Sequence, residues 1–367
     1  MRDATPRPIT VVIVGGDWDT TGGRASSYVT QFADALRDSG AVVALYNGGT
    51  IEHLSGYILE KGVAGYQAIV WIPNVPNEFP KHRQVKLVHP HALLVVAKRN
   101  QDEYTLHELL NRALGLHANL CIDFRRAQGR ISARLLDVMG VIWQDHTTDI
   151  KQMASMLAGR LEALRAVTRQ GTRQVSTTPL TVPDQPTFFD IVRRYAGVFH
   201  ELIVPEPSVT RFLGNASFRC ERGFPSFRDE TNTVFVSRRN VDKRYIDASA
   251  FVAVQQADDA VLYWGEHKPS VDAPVQLRLY DALPNIRFML HAHVYLADAP
   301  TTTHVLPCGA LEEVAAVLAT IPDRSTTNVH VNLPGHGCLI MTSDPTQLHD
   351  LPFIARVLPE HLTVMPH

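Results

Sequence analysis

Long apolar runs are missing from this chain. No stretch of roughly 18 apolar residues occurs, and the opening MRDATPRPIT carries no leader-like apolar segment. A membrane-spanning helix is therefore not expected, and the chain reads as a soluble, cytoplasmic protein with no membrane partner. Cysteine is scarce. Cys121, Cys220, Cys308 and Cys338 stand apart with no CxxC spacing, which argues against a thiolate zinc knuckle and against a dense disulfide framework. Excess charge of one sign is absent too. A formal net charge of −2 gives no global drive toward nucleic acid or an anionic membrane, so any basic site is local. Internal repeats and low-complexity bulk are likewise lacking.

What is present is a globular composition, 45% hydrophobic and 20% charged over 367 residues, long enough for two domains with separate cores. The first half alternates apolar strand-like runs with amphipathic helices. Strands are predicted at Ile9 to Val14, Ala41 to Tyr46, Ala68 to Ile72, Leu93 to Ala97, Asn119 to Phe124 and Val141 to Trp143. Helices are predicted at Ser26 to Asp38, Leu106 to Leu114 and Ile150 to Val167. Near-continuous apolar strands between helices predict a doubly wound, Rossmann-like α/β domain with a parallel sheet, over residues 1–168. The polar, proline-containing stretch RQGTRQVSTTPLTVPDQP predicts a linker over 169–186. An aromatic-rich helix, TFFDIVRRYAGVFHELI, opens a second α/β domain over 187–367.

In the segment VVIVGGDWDTTGGRASSYV, glycines and hydroxyls fall between the first strand and the first helix. In doubly wound folds that junction faces the ligand crevice, and a helix N-terminus favours anions. Gly15, Gly16, Gly22, Gly23, Arg24 and Ser26 are candidates to cradle a phosphate or nucleotide. The spacing matches neither the dinucleotide fingerprint nor the Walker loop, so a βα loop without a ligand is the alternative.

The second half carries NIRFMLHAHVY. Side chains at i and i+2 of a strand share a face. Ile286, Phe288, Leu290, Ala292 and Val294 therefore form an apolar face, and His291 and His293 lie together on the other, beside Met289 and Tyr295. With 17 histidines in 367 residues, on the order of one H-x-H pair is expected by chance. A second pair, His89 and His91, flanks Pro90 and reads as loop histidines. Spacing alone does not make His291 and His293 a metal site; the surrounding order of motifs has to.

That order is GNASFR, then KPSVDAP, then a helix, then HAH, then NLPGHGCLIM. It resembles the class II aldolase/adducin family, whose signature runs GN-x-S, PSS-E, a helix, H-x-H and a late HG. The match covers about 150 of the chain's residues, from about Thr187 to Ser343, and implies a class II aldolase-like domain. It places a third ligand at His336, whose flanking glycines also give an ion close access. His330, six residues earlier, is the competing candidate. Three neutral imidazoles leave a dication's charge undiminished and a coordination position open, the arrangement of a catalytic zinc site. Zinc is the expected divalent metal.

The resemblance implies a lyase that cleaves or forms a C–C bond in a small polyhydroxylated, anionic, sugar-like substrate through a metal-stabilised enediolate. Epimerisation or dehydration on the same metal is one alternative. A non-catalytic, adducin-like assembly module with a nucleotide-binding N-terminal domain is the other. Asp272 occupies the acidic position of PSS-E and is the candidate proton shuttle, though Asp before Ala-Pro also suits a helix N-cap. Asn215, Ser217 and Ser270 match the family's substrate-binding elements. The family's TPSG-like loop is replaced here by VSRRNVDKR, and the second serine of the pair is Val271. Ser237, Arg238 and Arg239 are then candidates for the substrate's anionic group. The resemblance also implies a homo-oligomer, of tetrameric order, and a tyrosine from a neighbouring subunit that no residue here identifies. Tyr295 reads as packing.

Overall fold

The computed structural model describes residues 7–56, 65–76, 85–89, 91–100, 105–169, 171–200, 212–220, 233–257 and 260–354. The chain divides into two compact units, the first ending at Arg165 and the second beginning at Ala166. No helix among the described residues is long and apolar enough to cross a membrane.

The first unit contains β1 (Thr10–Asp19), α1 (Ser27–Asp38), β2 (Val42–Thr50), the single turn α2 (Ile51–His53), β3 (Ala68–Trp71) and α3 (Val85–Val88). There follow β4 (Leu93–Asn100), α4 (Leu106–Gly115), β5 (Leu120–Ala127), β6 (Arg130–Asp137), β7 (Ile142–Thr147) and α5 (Ile150–Arg169), which runs on into the second unit. Its seven strands lie in the order β2-β1-β3-β4-β5-β6-β7. The first five pair in parallel, in the doubly wound order that reverses direction at β1 and β3. β3 is buried along its whole length, which explains its unbroken apolar text. The sheet is not wholly parallel as predicted, because β6 and β7 are added antiparallel. β6 reads RISARLLD, and its polar alternation hid it. Arg134 stands opposite Asp123 in the register and pairs with its carboxylate at 2.9 Å.

The second unit holds β8 (Gly171–Ser176), α6 (Pro186–Tyr195), β9 (Asn215–Arg219), β10 (Val234–Ser237), β11 (Phe251–Gln256), β12 (Ala260–Trp264), α7 (Ala273–Ala282) and β13 (Phe288–Ala292). β14 (Tyr295–Leu296), α8 (Glu312–Ala319), β15 (Asn328–Leu333), β16 (Gly337–Thr342) and β17 (Phe353–Ile354) complete it. Residues 201–203 of the expected aromatic-rich helix lie outside the described residues. The eight-stranded sheet has the order β15-β16-β13-β9-β10-β11-β12-β8, antiparallel except where β8 joins β12. β8 lies inside the stretch predicted as a linker. Its Thr, Arg, Gln and Ser are tolerated because an edge strand leaves side chains in water.

Two cores cover the two faces of this sheet. On one, Phe188 and Phe189 of α6 meet Phe218, Phe235, Phe251 and Phe288 in a cluster of rings. On the other, α7 and α8 bring Val275, Leu279, Tyr280 and Val317 onto Val234, Val236, Met289, Leu339 and Met341.

Candidate functional site

β13 is central to the second sheet, with β9 on one side and β16 on the other. His291 stands opposite Asn215 and opposite Leu339. Strand alternation sends Phe288, Leu290, Ala292 and Val294 into the phenylalanine core. Met289 faces the core under α7 and α8, and His291 shares its side. Two glycines allow the neighbouring chain to come this close. A Cβ on Gly214 (φ +74°) would sit 2.7 Å from the His291 carbonyl oxygen, and one on Gly337 (φ +132°) would sit 2.0 Å from that of Ala292. The glycines of GN and HG are thus required by backbone contact with the H-x-H strand.

His336 lies in the turn from β15 to β16, where its N–H donates to the Leu333 carbonyl at 2.9 Å. The turn brings it back over β13. His291, His293 and His336 each offer a ligand nitrogen within 4.8 Å of the others, and all three are buried. His330 does not join them. It pairs with Ile340 on the face of the phenylalanine core.

The hydrogen bonds select the nitrogens. Nδ1 of His291 donates to the Cys338 carbonyl at 2.9 Å, which leaves its Nε2 buried without a hydrogen-bond partner. Nδ1 of His336 lies 3.0 Å from Oε2 of Glu313. An imidazole that donates from one nitrogen presents a lone pair on the other, and ligating histidines are oriented in this way. Burial, and next the neighbouring His336, lower the pKa of His291 to about 4, so at neutral pH its ring is uncharged. Burial raises the pKa of Glu313, opposed by its contact with His336. A buried set of imidazole nitrogens, one of them orphaned, fits a divalent cation of the borderline kind that prefers imidazole.

Asp272 sits at the N-terminus of α7 but does not cap it, for its side chain accepts no capping bond. Its carboxylate turns instead toward the histidines. Asn215 Nδ2 donates to Oδ2 at 2.5 Å, the Cys308 thiol to Oδ1 at 3.1 Å, and the Ser270 hydroxyl reaches Oδ2 at 3.5 Å. Gln276, one turn along α7, donates to Asn215 Oδ1. Asp272, Cys308 and His336 form a second group whose ligand atoms lie within 4.8 Å.

Not every predicted site residue is brought to this cluster. Ser217 is one step deeper on β9, where its hydroxyl meets the Tyr280 phenol at 3.1 Å inside the core. Ser237 Oγ accepts the Ala216 N–H at 3.1 Å. Arg239 is exposed, and Arg238 lines a cleft of about 450 Å³ with Trp264, Glu266 and His267. Tyr295 does more than pack, since its phenol accepts the Gly335 N–H at 3.0 Å and steadies the turn that carries His336.

In the first unit, three of the four glycines of the predicted cradle are closely packed. A Cβ on Gly15 would meet Val29, one on Gly16 would meet Asn47 and Gly48, and one on Gly23 would meet the Asp17 carbonyl, while Gly22 faces open space. The Arg24 carbonyl accepts from Asp17, and the Ser26 hydroxyl caps α1. These residues hold β1, which extends to Asp19, against β2.

Four residues escaped sequence reasoning: Glu313, Cys308, Gln276 and Lys243. Lys243, in the run VSRRNVDKR, is 2% exposed. Burial lowers its pKa to about 7, against the opposing pull of Asp242 and Asp272, and its charge acts in turn on His291.

A search of curated proteins finds no match. Among solved structures, the chain is similar to the DNA/pantothenate metabolism flavoprotein from Streptococcus pneumoniae, at 12% identity and a TM-score of 0.33, over 44% of this chain and 100% of that one. The family model of the class II aldolase and adducin N-terminal domain matches residues 201–334. Those residues run from ahead of β9 to the turn before His336, and over them the chain is similar to the class II aldolase/adducin family.

Proposed function

We propose that this protein is a metal-dependent lyase of the class II aldolase type, cleaving or forming a C–C bond in a small polyhydroxylated, anionic, sugar-like substrate. The observation that carries the reading is the convergence of His291, His293 and His336, with two of the three rings fixed through Nδ1 by Cys338 and Glu313. These three residues would hold the divalent ion, zinc by the chemistry of the donors. A divalent ion bound there supplies Lewis-acid polarisation of adjacent carbonyl and hydroxyl oxygens. Asp272 is the proton-transfer group. Its Oδ2 is oriented by Asn215 and Ser270 and its Oδ1 by Cys308, so the carboxylate is held in one attitude beside the histidines. A fixed, buried carboxylate suits general acid/base work better than a mobile one. Asn215 and Ser270, which hydrogen-bond to Asp272, would also contact the substrate.

The buried histidine set favours catalysis over an adducin-like assembly role, because a scaffold gains nothing from an orphaned ligand nitrogen in its core. The test is metal content of the purified protein, followed by incubation with a panel of ketose phosphates and hydroxy-keto acids and identification of the products. Aldehyde release supports the lyase; a stereoisomer or an unsaturated product transfers the site to an epimerase or dehydratase. Less than about half an equivalent of divalent metal, unchanged by His291→Ala with His293→Ala, defeats the metalloenzyme reading.

A further inference from the structure

Lys243 is a buried lysine with no counter-ion in contact among the described residues. It opens the 3-10 turn Lys243–Tyr245, and among the described residues its amine reaches the Phe212 carbonyl, at 3.4 Å. No carboxylate lies within 4.0 Å of it among the described residues. The adjacent Asp242 carboxylate is gripped instead by Arg244. Asp272 exerts its charge from beyond ion-pair distance, its oxygens being occupied by Asn215 and Cys308. An ammonium taken out of water without a paired anion is strongly destabilised, and a fold retains such a group where something else completes it.

Its position says what that is. Phe212, whose carbonyl it touches, lies three residues before Asn215, which holds Asp272. The turn it opens follows β10, whose last residue, Ser237, accepts the backbone N–H of Ser270 at 3.0 Å. Lys243 therefore touches the segment that leads into Asn215, follows in sequence the strand that bonds to Ser270, and lies within electrostatic reach of Asp272 and His291. Arg239 is exposed to solvent and Arg238 belongs to the separate cleft beside Trp264.

We propose that Lys243 is an oxyanion-binding residue of the metal pocket, taking a carboxylate or phosphate oxygen of the substrate. This rests on the metal-site reading above and deepens it. The anionic group of the substrate then sits close to the reacting carbons, within the pocket, and the surface arginines are not its anchor. A three-donor ammonium in a water-poor site makes charge-assisted hydrogen bonds to such oxygens.

The test is calorimetric titration of the full-length, zinc-loaded protein with inorganic phosphate and, separately, with glycolate, for the wild type, Lys243→Met and Lys243→Arg. The expected result is binding of at least one probe by the wild type and a loss of about tenfold or more in Lys243→Met, with zinc content unchanged and Lys243→Arg intermediate. Which probe binds separates a phosphate from a carboxylate substrate. Lys243→Met should also melt higher than wild type in anion-free buffer, since an unpaired charge has been replaced by an apolar side chain of similar length. Equal affinity in wild type and Lys243→Met, or no binding of either probe by the wild type, overturns the proposal. If Lys243→Met does not fold, 13Cε-lysine NMR of the wild type decides: one solvent-shielded lysine signal shifts on titration, and its absence overturns the proposal. Lysine-dependent anion binding without bound zinc would sink the lyase reading alone, whereas retained zinc with lysine-independent binding would sink this inference alone.

Discussion

Oε2 of Glu313 lies 3.0 Å from Nδ1 of His336, across 23 residues of sequence, and both side chains are almost wholly buried. The contact fixes the tautomer of His336 and makes the ring a better donor at Nε2. Glu313→Gln keeps the shape and removes the charge. Affinity for zinc, measured by competition with a chelating dye, should fall roughly 10–100-fold, with the far-ultraviolet spectrum unchanged. An unchanged affinity would mean that the carboxylate only fills space.

Asp272→Asn tests the proton-transfer assignment. Asn215 and Cys308 donate to the two carboxylate oxygens, and an amide replaces one of those acceptors with a donor, so some rearrangement is expected as well as loss of the base. For a substrate identified by product analysis, kcat should fall about 10²–10⁴-fold, with zinc retained at the wild-type level. Full activity in Asp272→Asn would move the proton-transfer role elsewhere.

Gly337→Ala addresses the backbone. The added Cβ would lie 2.0 Å from the Ala292 carbonyl oxygen, at a φ of +132°. Strain at such a position costs roughly 1–3 kcal/mol before any displacement of β13 is counted. Urea unfolding of the metal-free protein should show the loss, and zinc content should fall with it. Wild-type stability would show that the strand has slack.

Acid should destabilise the metal-free protein through His291. Its pKa is lowered in the folded state to about 4, below an unfolded value of about 6.5. Between these two values the unfolded chain binds the extra proton, so stability is fully present above about pH 6.5 and is lost as the pH falls toward 4. Calorimetry from pH 7.5 to 4.5 should give a falling Tm, with a shallower slope in His291→Gln. Parallel slopes in the two proteins would assign the acid sensitivity to other groups.

The fold and the site were legible in the sequence where a short period carries the information. The alternation around HAH placed Phe288, Leu290 and Ala292 on one side of a strand and His291 on the other, and the structure has that division. The apolar texts of β3 and β4 were equally plain. β6 was hidden because Arg134 sits on a strand only by virtue of Asp123 opposite, a partner that local periodicity does not reveal. Glu313 was hidden for a similar reason: in LEEVAAVLA it reads as a first-turn acid of an ordinary surface helix, and only the returning turn at His336 buries it. Lys243 sat in a run of charges that resembles a solvated loop, and no local pattern distinguishes the one member of that run that faces inward.

The pair of glycines against β13 has a further meaning for how the centre tolerates change. Gly214 and Gly337 press main chain onto main chain at His291 and Ala292, so the path of the ligand-bearing strand is set independently of the side chains it displays. A donor of another type, exchanged at position 291 or 293, would emerge from the same backbone trajectory. On the proposed metal-site reading, the imidazoles could then be exchanged to alter metal preference with the scaffold beneath them left as it is.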